Sequence, residues 1–193
     1  MRDRDLVRLH WPESLRPAFD ALFGLDDRLA DVALGAAQPA LAAIKLAWWR
    51  DQLAVLDTQP PPPEPVLLKV ASELMPAGLA GADCAALAEG WMAAVAEEAD
   101  PAPRGTALFA LLGRLLGHEA SGGEAFSRAD LARRTGDPAW LAKLPPVPSP
   151  RPARPITLLD ALGRRDAARF WPPEPEATPG RSWTLIRHRL TGR

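Results

Sequence analysis

Four aspartates, Asp20, Asp26, Asp27 and Asp31, fall within one stretch running from Arg16 to Asp31. Asp27 and Asp31 are four residues apart, so on a helix both carboxylates leave the same face. Two carboxylates so placed can hold Mg²⁺ while a substrate diphosphate supplies further oxygens. Arg28 lies between them in sequence, and Asp20 and Asp26 lie off their face. The same spacing also describes the solvated acidic side of a surface helix, and spacing alone does not choose. A second stretch, Ile44-Lys45-Leu46-Ala47-Trp48-Trp49-Arg50-Asp51, carries adjacent indoles, which read first as core packing and second as a ligand platform.

Other chemistries find little support. The chain has no GxGxxG, no GxxxxGK[ST] and no GxSxG, which removes the usual signatures of dinucleotide binding, phosphate loops and nucleophile elbows. His10, His118 and His188 are scattered without paired cysteines, so no zinc site is expected. Cys84 is the single cysteine; it allows no internal disulfide and reads as a small buried hydrophobe.

These residues need helices to position them. Alanine and leucine dominate, tyrosine is absent, and valine and isoleucine are few, a bias that favours helix. Pro12-Glu13-Ser14 opens a long helix whose apolar face runs Leu15, Phe19, Leu22, Leu25, Leu29 and ends near Gly35. A second helix runs from Gln38-Pro39 to about Leu56. Its apolar residues fall on two faces, Leu41/Ile44/Trp48/Val55 and Leu46/Trp49/Leu53/Leu56, which predicts burial from both sides. Further helices are expected near 64–76, 82–99, 103–117, 122–135, 138–143, 155–170 and 180–191. Pro-rich stretches at Pro60–Pro65, Pro145–Pro155 and Pro172–Pro179 read as extended loops. The fold class is therefore all-α, an orthogonal or antiparallel bundle.

The Arg16–Leu25 helix followed by Ile44–Asp51, the Trp-Trp-Arg-Asp helix, resembles the squalene/phytoene synthase family. The likeness is to its short bacterial and mitochondrial branch, related to complex I assembly factors. Gly105–Gly117, Ala129–Arg133 and Trp183–Arg193 extend it more weakly. The resemblance implies an isoprenoid-synthase-like helical bundle, here truncated, with residues 1–145 as the bundle. Residues 146–193 would form a Pro-rich linker and a basic helical extension packing on the same domain. Active members join two prenyl diphosphates, using two Asp-rich motifs that face each other across a cavity and bind diphosphate through Mg²⁺.

The family pattern is incomplete in this chain. Laid on the first helix, its acidic motif falls on Ala30, Asp31 and Leu34, so Asp31 alone survives. The second motif falls on Arg134 and Pro138, with Asp137 nearby, and no second DxxxD occurs from 118 to 145. An Arg at a ligand position repels Mg²⁺ but can bind phosphate directly. The expectation is thus a degenerate, non-catalytic relative binding a lipid, a prenyl ligand or a partner protein, with a role in respiratory-complex assembly implied only by the resemblance. Candidate ligand- or phosphate-binding residues are Arg16, Arg50, Arg133 and Arg134; no cofactor is expected. The alternative is a residual prenyltransferase acting on farnesyl or geranylgeranyl diphosphate. It would use Asp27 and Asp31 as catalytic carboxylates, with Asp27, Asp31 and either Asp137 or Asp130 around Mg²⁺.

Charge narrows the partners. The net charge is −1, which argues against general nucleic-acid binding. Residues 151–193 nevertheless hold nine arginines against four acids, so this end can meet anionic lipid or an acidic protein. No apolar run is long enough to cross a bilayer and the start of the chain is too charged for a signal peptide. A cytoplasmic protein is expected, with peripheral membrane contact through the basic C-terminus.

Overall fold

Proline and glycine set the boundaries of the helices in the computed structural model, which describes residues 1–147, 149–169 and 171–192. The described residues form nine α-helices and no strand. These are α1 (Asp3–Arg8), α2 (Arg16–Leu34), α3 (Pro39–Val55), α4 (Pro65–Lys69), α5 (Gly81–Ala94), α6 (Ala102–Leu116), α7 (Glu124–Thr135), α8 (Arg154–Ala167) and α9 (Pro179–Thr191). A π-helical turn, Val70–Leu74, continues α4. Six of the nine begin with proline in their first turn, where its missing N–H is not needed and its fixed φ suits the helix. Gly117 and Gly136 end α6 and α7 with φ of 69° and 73°, a conformation that costs glycine little. Among the described residues, no helix is long and apolar enough to cross a membrane.

The central element is α2, which packs against α3, α4 and its π turn, α5 and α6. It buries Phe19, Leu22, Phe23, Leu25 and Leu29 together with the carboxylate of Asp26. The remaining helices follow as neighbours in order, α3 on α5, α5 on α6, α6 on α7, α7 on α8 and α8 on α9. Close approach is built into two of these seams. A Cβ on Gly90 would lie 2.5 Å from Arg104 Cα, and one on Gly163 would lie 2.2 Å from the Ala125 carbonyl oxygen. Any side chain at either position would push α5 from α6 or α8 from α7.

Three expectations need correction. The second helix, α3, is buried on one side only: Ala42, Leu46, Trp49 and Leu53 face the core, while Ile44 is 68% exposed and Trp48 45%. Among the described residues α3 packs chiefly on α5 and α2, and both meet its other side. The helix expected over 82–99 stops at Ala94, and 138–143 shrinks to one turn, Pro138–Trp140. Asp137 caps that turn by accepting from Ala139 N at 2.9 Å, and Leu141 is already extended. Pro148, Phe170 and Arg193 lie outside the described residues. They fall in the second Pro-rich stretch, at the end of the 155–170 helix and in the basic tail.

Before Pro12 no element was expected, yet α1 forms there. Asp3, near the start of the chain, accepts from Ala177 N at 2.9 Å and Arg181 Nε at 2.7 Å. Helix α1 packs on α8 and α9, so the first helix closes against the last two. A six-residue helix has no stability of its own; these contacts hold it.

Candidate functional site: a cavity between α2, α7 and α8

A cavity of about 500 Å³ opens where α2, α7 and α8 meet under the chain ends. That volume is within the range of small-molecule sites. Its apolar wall is Phe23 from α2, Phe126 and Ala129 from α7, and Leu159, Leu162 and Gly163 from α8. Phe23 meets Phe126 edge-on, with centroids 6.3 Å apart. The polar wall carries Asp27 and Asp31 on one side and Asp130, Arg133 and Arg134 on the other. The i, i+4 pair of α2 therefore does face an acid of α7 across a cavity.

Arginines stand between those carboxylates. Arg134 Nη2 donates to Asp27 Oδ1 at 2.7 Å, and its Nε donates to Asp130 Oδ2 at 2.8 Å. Arg4 Nη2 takes the other Asp27 oxygen at 2.5 Å, with Arg2 at 3.5 Å from the same atom. Burial pushes the Asp27 carboxyl up, but the bonds from Arg4 and Arg134 outweigh it and hold the group below its ordinary value. Asp130 behaves alike: burial raises it, and Arg104 and Arg134 bring it below the ordinary carboxylate value. Asp31 lines the cavity at its exposed edge.

Beneath the cavity is a charge cluster that the aspartate spacing did not reveal. Asp26 is 1% exposed and Arg104 fully buried. Arg104 Nε and Nη2 bind the two Asp26 oxygens at 3.0 and 2.5 Å. Its Nη2 also lies 2.7 Å from Asp130 Oδ2. Trp91 Nε1 donates to Asp26 Oδ1 at 2.8 Å, and its ring lies 4.1 Å below the Arg104 guanidinium, a cation–π contact. At the C-terminal rim, Arg181 Nη1 binds Asp166 Oδ1 at 2.5 Å, and Arg133 Nη2 binds Asp166 Oδ2 at 2.9 Å. Burial, and next the Asp3 carboxylate, raise the Glu176 carboxyl on the same rim.

The remaining sequence candidates are elsewhere. Arg16 donates to the Trp11 carbonyl at 3.3 Å and pairs with Glu13 at 3.8 Å. Arg50 binds its neighbour Asp51 at 2.7 Å, Asp20 binds Arg8 at 2.7 Å, and Asp137 serves as the cap described above. None of these four lines the cavity. Of the proposed ligand contacts, Arg133 and Arg134 alone are brought to it. Asp3, Asp26, Arg104, Asp166 and Arg181 were missed, since each pairs across long sequence separations that no local spacing encodes. Cys84 is buried as expected, and burial, with Asp83 and Asp57 adding, pushes its thiol up to about 12.

The carboxylates do not fit a resident Mg²⁺. Both oxygens of Asp27 are committed to guanidiniums, and Arg134 sits between Asp27 and Asp130, where it repels a cation. Among the described residues no group of three or more His, Cys, Asp or Glu is arranged to hold a metal. Compared with known proteins, the chain matches no family model, no curated protein and no solved structure.

Proposed function

We propose that this chain is a non-catalytic bundle of squalene/phytoene synthase type whose α2–α7–α8 cavity receives an apolar, prenyl-like or lipid ligand. The observation that carries the reading is Arg134. It occupies, between Asp27 and Asp130, the place where a diphosphate-binding metal would have to sit. The phenylalanine and leucine wall behind it suits an isoprenoid or acyl chain. The lining arginines, already paired with carboxylates, favour a neutral or weakly polar head group over a diphosphate. A respiratory-complex assembly role, which the family resemblance brings with it, would make a partner protein the recipient of that ligand or of the bundle surface.

One observation favours a second reading, a residual Mg²⁺-dependent prenyltransferase: Asp27 and Asp31 line the same cavity as Asp130. Incubation with farnesyl diphosphate and Mg²⁺ separates the two. Under the first reading no pyrophosphate is released, and farnesol binds to the parent chain but not to Ala129→Phe, which fills the cavity. Pyrophosphate release that Asp31→Ala abolishes would replace the first reading by the second. Equal farnesol binding by parent and Ala129→Phe would remove the cavity ligand.

A further inference from the structure

The outward side of α9 carries Trp183, Ile186, Arg187 and Leu190, spaced i, i+3, i+4 and i+7, so they form one stripe. Trp183 is 66% exposed, Ile186 45% and Leu190 68%. The inner side of the same helix buries Arg181, Leu185 and His188. Arg181 is bonded to Asp3 and Asp166, and His188 Nε2 lies 2.8 Å from Thr157 Oγ1. These contacts fix the rotation of α9, so the apolar stripe has no route into the core.

Beside the stripe, α8 and α9 enclose a second cavity of about 440 Å³. Arg164, Arg165 and Arg169 line it from one side, and Trp183, Thr184 and Arg187 from the other, with no carboxylate in the lining among the described residues. Two acids reach the group from outside the lining: Asp160 pairs with Arg164, and Glu174 pairs with Arg165 and, at 3.7 Å, with Arg169. Arg187 is exposed and forms no ion pair among the described residues. Four guanidiniums against two carboxylates leave an excess of positive charge. Arg189, whose Nη1 donates to the exposed Arg151 at its carbonyl (3.3 Å), extends that charge along the helix. Guanidiniums lining a cavity without carboxylates suit a phosphate-type anion.

A soluble phosphate would use the arginines and leave the stripe unexplained. An indole and two aliphatic side chains beside an excess of arginines are what an interfacial helix presents, with guanidiniums at the phosphate level and apolar side chains in the acyl boundary. We propose that this face docks on an anionic phospholipid bilayer. The arginine-lined cavity receives a lipid phosphate, and Trp183, Ile186 and Leu190 enter the outer acyl region. The inference is independent of the α2–α7–α8 cavity, which uses Leu159, Leu162, Gly163 and Asp166 of α8 and leaves Arg164 and Arg165 to this one.

The full chain is co-sedimented with vesicles of phosphatidylcholine alone and of phosphatidylcholine mixed with phosphatidylglycerol. Binding is expected to the mixed vesicles and to fall as salt rises. Arg187→Gln should weaken it about fivefold, and Trp183→Ala with Leu190→Ser roughly tenfold or more. All three side chains are exposed, so the melting temperature of each variant should match the parent. In a parallel arm, inorganic phosphate is titrated without vesicles. Arg187-dependent phosphate binding without vesicle binding would make this a soluble-anion site and overturn the proposal. Equal binding to neutral and anionic vesicles, no vesicle binding, or undiminished binding by the variants would each overturn it as well.

Discussion

Arg134 and Arg187 are both accessible guanidiniums on the later helices of the same bundle, and both line a cavity. Around Arg134, each lining arginine has a carboxylate of its own cavity: Arg2 and Arg4 share Asp27, Arg133 has Asp166, and Arg181 has Asp3 and Asp166. Around Arg187 the acids lie outside the lining and are fewer. In the first cavity, charge joins α1, α2, α7, α8 and α9; in the second, it is left facing outward. What an arginine does here depends on which carboxylates the fold brings to it, and residue type does not decide it.

The contrast has measurable consequences, and the largest is expected in the buried layer under the first cavity. Arg104→Met leaves Asp26 buried without its cation, which should cost about 3–5 kcal/mol in urea unfolding. Adding Asp26→Leu should return most of that loss, because a well-packed apolar pair often replaces a buried ion pair at little cost. A single variant as stable as the parent would remove this pair from the account of the fold.

A smaller effect appears with pH. Burial first, then Arg164 and Arg154, depress His188 to about 4 from its ordinary 6.5, while Asp160 opposes them. The folded value lies below the unfolded one, so the unfolded chain takes up the proton first. The His188 contribution is intact above about pH 6.5 and is lost as pH falls toward about 4. Discounted for solvent screening, the change is of the order of 2 kcal/mol. His188→Gln can keep a bond to Thr157 without titrating and should flatten this part of the stability–pH curve. A slope unchanged in that variant would assign it to other groups.

The smallest effects sharpen the comparison most directly. Arg134→Gln should cost about 1 kcal/mol, because Asp27 keeps Arg4 and Asp130 keeps Arg104. Arg187→Gln should stay within about 0.5 kcal/mol. Equal losses in thermal unfolding would erase the distinction between the paired cavity and the outward one.

Much of the helical layout is legible in the residues. The Ala/Leu bias, the proline starts and the 3–4 residue spacing of Leu15, Phe19, Leu22, Leu25 and Leu29 give α2 and most later helices. The rotation of α3 is not legible, because Leu41/Ile44/Trp48 and Leu46/Trp49/Leu53 are equally apolar stripes. Which one is buried depends on where α2 lies. Arg104 is harder still: it stands at the start of the helix expected over 103–117, and nothing in its neighbours marks it as buried. It becomes interior because glycine at position 90 lets the two backbones meet, and because Asp26 and Trp91 arrive from other helices.

The sequence by itself determined an all-helical chain, its proline and glycine boundaries, the single buried cysteine and the excess of arginine toward the C-terminus. These are properties of short windows, governed by backbone propensity and local spacing. Tertiary structure alone decided that Arg134 would bridge Asp27 and Asp130, that Asp3 would bind Arg181, and that Arg187 would form no ion pair among the described residues. Ion pairing depends on distances of a few ångströms between residues far apart along the chain, and packing of the helices sets those distances.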